Sequence, residues 1–222
     1  MPGAGILFTS IHKGELCFLM GRENKYCING RFTYCDFGGG TDDDENYKET
    51  AARECSEEMR GFLGNRSDLL KLLKNIPNSK KQSVQYPMYI DNGEHPRVYR
   101  IFIIPMPYLP YLPVLFNQSC EITSQYLQHT LLRKSKILEK DRMKWVFIND
   151  NHTPLRRFFK QSMEKIRQQK NEIMNYVKIN LFHTKRYFDK YTMTPFIVHH
   201  KTTKKSLFKH SKSNYTRKNR RK

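Results

Sequence analysis

The chain has 222 residues, of which 38% are hydrophobic and 13% aromatic. That length can bury one good hydrophobic core with an appended segment, and the composition is typical of a globular protein with some polar sequence outside its core. The N-terminus lacks the basic region and long apolar stretch of a secretory signal. The most apolar segment, 101–116, is too short to cross a membrane and contains four prolines. We therefore expect no membrane span and interpret this segment as a proline-rich surface excursion.

The charge is distributed unevenly along the chain. Residues 1–130 carry 14 lysines and arginines against 15 aspartates and glutamates, whereas residues 131–222 carry 26 against 6. The two net charges, −1 and +20, add up to the formal +19 of the whole chain. The last 22 residues carry ten basic side chains and no acidic one. This asymmetry indicates a polyanionic partner, most simply a nucleic acid contacted through the basic C-terminal region.

The cysteines indicate neither a zinc site nor a disulfide framework. There are five of them, an odd number, and no two have the CxxC spacing of zinc or thioredoxin-type sites. Reduced thiols are the default inside a cell. We therefore expect an intracellular protein, in the cytoplasm rather than the nucleus.

The first half of the chain predicts strands followed by helices. Two strands over 4–10 and 15–21 are joined by a hairpin turn, and a short strand over 32–37 leads into three glycines. A helix is predicted over 46–60, because acidic residues at its start suit the positive end of the helix dipole and small or apolar residues recur along one side. A second helix is predicted from a cap at Ser67 to Asn75.

The second half predicts three more strands and a closing helical region. Strands over 83–90 and 97–105 are predicted to pair across a turn at 91–93, and a last strand spans 144–148. Apolar residues three and four apart predict an amphipathic helix over 154–169, with helical character continuing over 172–188. The fold class is therefore α+β, with a domain over 1–170 and a basic helical or disordered extension over 171–222.

A cluster of carboxylates in the first predicted helix is the strongest indication of chemistry. Residues at i, i+3 and i+4 share one helix face, so Glu54, Glu57 and Glu58 point the same way. Three like charges on one face repel each other and are unsuited to packing. They are suited to hard divalent cations, which take oxygen ligands and usually meet substrate phosphates.

The surrounding sequence resembles the signature of the Nudix hydrolase family, G-x5-E-x7-REUxEExGU with U apolar. Gly39, Glu45 and Arg53 match it together with the three glutamates, and Cys55 takes an apolar position. The family's last glycine falls on Arg60, with Gly61 one residue later. We interpret this departure as a helix one residue longer. The resemblance implies a mixed sheet sandwiched between helices, with the basic extension outside it.

The resemblance also implies an activity and roles for particular residues. Nudix enzymes hydrolyse a diphosphate linked to a nucleoside or related group with Mg²⁺ or Mn²⁺. The metal-ligand positions fall on Glu54, Glu57 and Glu58, and Arg53 falls on the arginine that braces them. Glu45 falls on the acid that supports the loop-helix junction. The loop is opened by a glycine run that includes the substrate-binding positions: Gly38, Gly39, Gly40.

Three carboxylates are candidates for the general base that activates the attacking water. Glu54 and Glu58 are in the signature, and Glu139 is predicted in a loop just before the last strand. An exposed structural role for Glu139 is the alternative. Arg22, at the end of the second strand, is a candidate for contacting substrate phosphate, with ion pairing to an acidic residue as the alternative.

The substrate class stays open between three hypotheses. The basic half favours an RNA-attached diphosphate, such as a 5′ cap, because phosphate contacts along a polynucleotide would use its charge. Small nucleoside diphosphate derivatives are the second hypothesis: dinucleoside polyphosphates, ADP-ribose or nucleotide sugars. A catalytically silent Nudix fold that binds RNA is the third, and retention of all three signature glutamates weighs against it.

Overall fold

The computed structural model describes residues 2–24, 32–75, 88–95, 97–126 and 138–192. The basic tail beyond residue 192 and most of the strand predicted over 83–90 lie outside these ranges.

Seven strands in the described part of the chain form one mixed sheet. The first two are β1 (Gly3–His12) and β2 (Glu15–Glu23). Their turn residues Lys13 and Gly14 both have positive φ, 50° and 82°, as a two-residue hairpin turn requires. The others are, in chain order, β3 (Tyr34–Cys35), β4 (Phe37–Gly40), β5 (Tyr89–Asn92), β6 (Tyr99–Pro105) and β7 (Lys140–Phe147).

Strand β1 lies at the centre of the sheet and changes its pairing partner along one edge. Its strand order is β3-β2-β1-β6-β5, with β7 added to β2 and β4 added to β1. The β1–β6 pair is parallel, and the other pairs are antiparallel. On one side, β1 pairs with β4 over Gly3–Ile6 and then with β2 over Phe8–His12. The glycines of β4 therefore pair with the first residues of β1, just before β1 changes its partner from β4 to β2.

Five helices cover the two faces of the sheet in the described ranges. They are α1 (Tyr47–Glu58), α2 (Arg66–Asn75), α3 (Tyr111–Tyr126), α4 (Arg157–Gln168) and α5 (Lys170–Thr192). One buried core lies between the sheet and α1, α2 and α3, and a second lies between the sheet, α4 and the start of α5. The α+β class and the mixed sheet between helices are confirmed. None of the described helices is both long and apolar enough to span a membrane.

The last helix contributes to both cores. Ile173 and Tyr176, near its start, are buried in the core below α4, whereas Phe188 is buried among residues of the α1 core. The ring of Phe188 meets that of Phe8 edge-on, with centroids 5.8 Å apart. We therefore propose that the folded domain extends to residue 192 and that the basic extension begins after it.

Two local predictions are wrong. Helix α2 is capped by Asn65, whose Oδ1 accepts a hydrogen bond from the backbone N–H of Asp68, and Ser67 lies inside the first turn. The proline-rich segment 101–116 is no surface excursion, because it forms β6 and the start of α3. Pro113 is tolerated in the first turn of that helix, where backbone N–H groups have no intrahelical acceptor.

Candidate active site around the glutamate helix

The glycine loop and α1 meet at the carboxylate of Glu54. A Cβ atom on residue 39 would lie 2.5 Å from Cδ of Glu54, closer than real Cβ atoms approach other heavy atoms. Only glycine therefore leaves room for this carboxylate beside β4. Burial raises the pKa of Glu54, and its hydrogen bond with Arg53 opposes that rise.

Arg53 joins the loop to the helix. Its Nε and Nη2 donate to the two carboxylate oxygens of Glu45 at 2.9 and 3.0 Å, and its Nη1 donates to Oε1 of Glu54 at 2.7 Å. Nη2 also donates to the carbonyl of Gly40 at 3.0 Å. These bonds lower the pKa of Glu45 and keep its carboxylate charged. A planar guanidinium makes such forked contacts at fixed angles, so it sets the relative positions of both glutamates.

Glu58, the last residue of α1, is held by the interior of the protein. Its Oε2 accepts the backbone N–H of Gly38 at 2.8 Å, and its Oε1 lies 3.2 Å from Nζ of Lys140. Burial raises the pKa of Glu58, and the positive charge of Lys140 opposes that rise. Both carboxylate oxygens are thus engaged by groups behind the helix.

A buried polar network continues from Lys140 to the opposite side of β4. The ammonium of Lys140 also contacts Sγ of Cys35 at 2.9 Å. Its pKa is lowered by burial, but Cys35 and Glu58 outweigh burial and raise it overall. Next to Cys35, Oδ2 of Asp36 accepts a hydrogen bond from the hydroxyl of Tyr99 at 3.0 Å. Burial raises the pKa of Asp36 to about 6, while Lys140 lowers it.

Sequence reasoning missed this network. Lys140 follows the candidate Glu139 directly, and Asp36 precedes the glycines in a segment predicted as a strand. A charged residue inside an apolar strand pattern is the one signal that would have drawn attention to Asp36.

The remaining two candidate carboxylates lie near the same place. The side chain of Glu57 is 55% exposed and lies 3.8 Å from Nη1 of Arg53. Glu139 is half-buried directly before β7, and its negative charge raises the pKa of both Glu54 and Glu58. Carboxylates of α1 and of the loop before β7 therefore concentrate negative charge in one region.

The oxygen chemistry of this region fits a hard divalent cation, although the carboxylates do not converge on one point. Among the described residues, no group of three or more His, Cys, Asp or Glu side chains is arranged to hold a metal ion. Glu54 is instead paired with Arg53, and Glu58 with Lys140. The donor set itself, carboxylates on one helix face, is the kind that Mg²⁺ and Mn²⁺ accept.

The end of α1 corrects the interpretation of Arg60. The helix is not one residue longer, because it ends at Glu58 with Met59 as its cap. Arg60 itself takes the left-handed conformation, with φ of 51°, where the signature has its glycine. The N–H groups of Arg60 and Gly61 donate to the carbonyls of Glu57 and Ser56, which is a Schellman motif.

Contacts with α3 hold Arg60 in this strained position. Its Nη1 donates to Oγ1 of Thr123 at 3.2 Å, and Nη2 contacts Sγ of Cys120 at 3.1 Å. The guanidinium also lies 5.0 Å from the ring centroid of Phe116. The signature helix is thereby attached to α3, which a glycine at this position would not achieve.

Arg22 lies in β2 and is paired with an acidic residue. Its Nε and Nη2 donate to both carboxylate oxygens of Asp141 at 2.8 and 3.0 Å, and its guanidinium lies 5.0 Å from the ring centroid of Phe32. Asp141 is in β7, two residues after Glu139. The ion pair therefore joins Arg22 to the segment that carries the candidate base, and a guanidinium has further N–H groups with which to meet an anion.

Comparisons with known proteins find similarity in structure alone. No protein-family profile and no curated protein sequence matches the chain. RenU, a Nudix hydrolase from M. Smegmatis, is 14% identical over 82% of this chain and 90% of its own, with a TM-score of 0.44. The Nudix domain of Shewanella oneidensis NrtR, solved with ADP ribose, is 15% identical over 77% and 88%, with a TM-score of 0.42. A mutT/nudix family protein from Listeria innocua is 14% identical over 80% and 96%, with a TM-score of 0.40.

Proposed function

We propose that this chain is a Nudix-type hydrolase that cleaves a diphosphate linkage attached to a nucleoside. The observation that carries the proposal is the bonding of Arg53, which joins Glu45, Glu54 and the carbonyl of Gly40. Residues that are up to 14 positions apart in the chain, Gly40 and Glu54, thus meet around one guanidinium. The space left by Gly39 for the Glu54 carboxylate agrees with the same interpretation.

The proposed cofactor is Mg²⁺ or Mn²⁺, held by Glu54, Glu57 and Glu58. Such an ion neutralises phosphate charge and lowers the pKa of a bound water. The chain contributes the positions of the carboxylates. Glu57 is open to solvent, Glu54 is oriented by Arg53, and Glu58 is anchored from behind by Lys140.

Glu139 is the general base that we propose. Because Glu54 and Glu58 are proposed to hold the metal ion, the proposed base comes from outside α1. Glu139 comes from outside the helix and is near enough to influence the pKa of both signature glutamates. A carboxylate in that place can take a proton from water aimed at the diphosphate.

The glycine loop and Arg22 are proposed to contact the substrate. The amide of Gly38 already supports Glu58, so its contribution is to hold that carboxylate. Gly40 adds no side chain to the edge of the loop, which permits close approach of a phosphate, and Gly39 leaves its space to the Glu54 carboxylate. Arg22 would add a positive charge through the N–H groups that Asp141 does not use.

The substrate that we propose is the 5′ end of an RNA. A small nucleotide needs a few positive groups, whereas residues 131–222 carry a net charge of +20. Contacts with successive phosphates of a polynucleotide would use that charge, and their strength would fall steeply with salt.

Release of capped nucleotide from 5′-capped RNA tests the proposal. We expect release by the wild type with Mg²⁺ or Mn²⁺ and at least about a 100-fold loss for Glu57→Gln, because the metal ion that stabilises the developing charge would lose a charged ligand, and loss of one such stabilising group typically costs that much. Glu172→Gln is the matched control, since it makes the same change at an exposed position in the first turn of α5.

Two further results separate the alternatives. Turnover of small nucleoside diphosphates without cap release would contradict the RNA substrate and retain the hydrolase. No turnover on either class would contradict the hydrolase and leave an RNA-binding module. Deletion of residues 200–222 is expected to weaken activity on RNA and to spare activity on small nucleotides.

A further inference from the structure

A cleft lies on the other face of the sheet from α1. It has a volume of about 870 Å³ and is bounded by β3, β6 and the first turn of α4. Asp36 and Tyr99 are among its lining residues. Volumes of this size accommodate nucleotide-sized ligands.

The rim of the cleft is strongly basic. Arg97, Arg156, Arg157 and Lys160 line it and are exposed, whereas the lining carboxylate of Asp36 is buried. Arg156 is partly neutralised by Glu23, with Nη1 and Oε1 2.9 Å apart. The other basic groups give the rim a local charge that favours phosphate.

An exposed aromatic ring lies among these charges. Phe158 lines the cleft and is 59% exposed, so its ring is accessible to a ligand. Its backbone is held, because its carbonyl accepts a hydrogen bond from Nδ2 of Asn92 at 2.9 Å. Aromatic rings set among basic side chains are how proteins bind single-stranded nucleic acids, with bases stacked and phosphates paired.

The cleft and the glutamate site share a wall. The Tyr99 hydroxyl, which bonds Asp36, would lie 2.5 Å from a Cβ on residue 38. The backbone N–H of the same glycine holds Glu58 on the other side. A ligand in the cleft is thus one strand away from the glutamates without occupying their place.

We propose that this cleft binds the single-stranded RNA segment that follows the reacting 5′ diphosphate. The proposal rests on the proposed function. It adds folded residues of α4 and of the turn between β5 and β6 to the basic tail as the part of the chain that binds RNA. A small nucleotide lacks that segment, so the cleft would distinguish RNA from small substrates through affinity.

Binding of a labelled single-stranded RNA of about 12 nucleotides to the full-length Glu57→Gln protein, without added metal, tests the proposal. In that protein, Arg157→Glu/Lys160→Glu should weaken binding at least about tenfold and reduce the salt slope by about 0.7 for each phosphate that is no longer neutralised. Phe158→Ala should weaken binding at least about fivefold with an unchanged salt slope, because it removes stacking alone.

Lys71→Glu/Lys74→Glu is the matched control. It changes the net charge by the same amount at two exposed positions of α2, away from the cleft. We expect it to weaken binding by less than about twofold, because exposed charges beyond a Debye length are largely screened. Equal losses for the two double variants would overturn the proposal, since affinity would then follow net charge. Displacement of the RNA by polyglutamate as effectively as by unlabelled RNA would also overturn it.

Hydrolysis measured separately distinguishes this proposal from the function. In the background with Glu57 intact, Arg157→Glu/Lys160→Glu should leave turnover of a small nucleoside diphosphate unchanged. Weakened RNA binding by the cleft variants of a protein that hydrolyses nothing would support the cleft and contradict the hydrolase. Cap release with unchanged RNA affinity of the cleft variants would support the hydrolase and overturn the cleft.

Discussion

The ammonium of Lys140 lies 3.2 Å from Oε1 of Glu58, with both side chains buried at 2% and 6% exposure. The pair joins the first residue of β7 to the last residue of α1. In a buried pair, each charge is tolerated because of the other. The position of a signature glutamate therefore depends on a lysine 82 residues further along the chain.

Replacing Lys140 by methionine is expected to destabilise the protein by about 3 kcal/mol, because Glu58 would keep its buried position without a partner. Urea unfolding measures this loss. The double variant Lys140→Met/Glu58→Gln should lose less than the two single variants together, since it removes both charges. A strictly additive double variant would show that the two groups are not coupled.

Alanine at two adjacent glycines should separate stability from activity. At residue 38 a Cβ would meet Cα of Gly5 and lie 2.5 Å from the carbonyl oxygen of Ala4, so backbone must move and we expect a loss of about 1–3 kcal/mol. At residue 39 it would meet the flexible end of Glu54. Gly39→Ala should therefore lose less than about 1 kcal/mol of stability and about 100-fold in turnover, because the carboxylate is displaced.

Thermal unfolding and turnover of both glycine variants check this. A Gly39→Ala protein with full activity would contradict the importance of the space beside Glu54. A Gly38→Ala protein as stable as the wild type would contradict the close contact of β4 with β1.

Two substitutions at Arg60 should reveal the strain in its backbone. Both remove the contacts with Thr123 and Phe116, but Arg60→Ala keeps a Cβ at φ of 51° and Arg60→Gly does not. We expect Arg60→Ala to be less stable than Arg60→Gly by about 1 kcal/mol, the usual cost of this conformation for a residue with a side chain. Chemical denaturation of the pair measures the difference. Equal stability would mean that this backbone carries no strain.

The raised pKa of Asp36 predicts a particular pH dependence of stability. Its pKa is about 6 in the folded chain against an ordinary value of 3.8, chiefly through burial. Between those values the folded state binds more protons than the unfolded state, so this group makes stability fall as pH rises from about 4 to 6. Asp36→Asn should remove that loss, on the order of 2–3 kcal/mol at neutral pH.

Unfolding of wild type and Asp36→Asn across this pH range measures the effect. The variant should be the more stable protein at pH 7, and the difference should shrink toward pH 4. Asp43→Asn, at an exposed position, is the control and should show little change. A wild type more stable than Asp36→Asn at neutral pH would contradict the prediction.

Local patterns made the glutamate helix predictable. The helical spacing of buried side chains and the N-terminal cap depend on residues within one or two turns. The chain shows both, because Asn46 caps α1 with Glu49 in a capping box, and Ala51 and Cys55 form its buried side. The two strands of the β1–β2 hairpin could be predicted for the same reason. The interpretation of Arg60 failed because a glycine preference at a helix end is strong but not absolute, and contacts with α3 outweighed it here.

By itself the sequence determined the fold class, the order of most elements and the carboxylate face of α1, because each depends on the spacing of neighbouring residues. Only the tertiary structure decided that Lys140 lies behind Glu58, that Tyr99 bonds Asp36, and that basic residues of α4 line a cleft with Arg97. These partners are tens of residues apart in the chain. Their meeting depends on strand register and on how helices cover the sheet, and no local pattern specifies either.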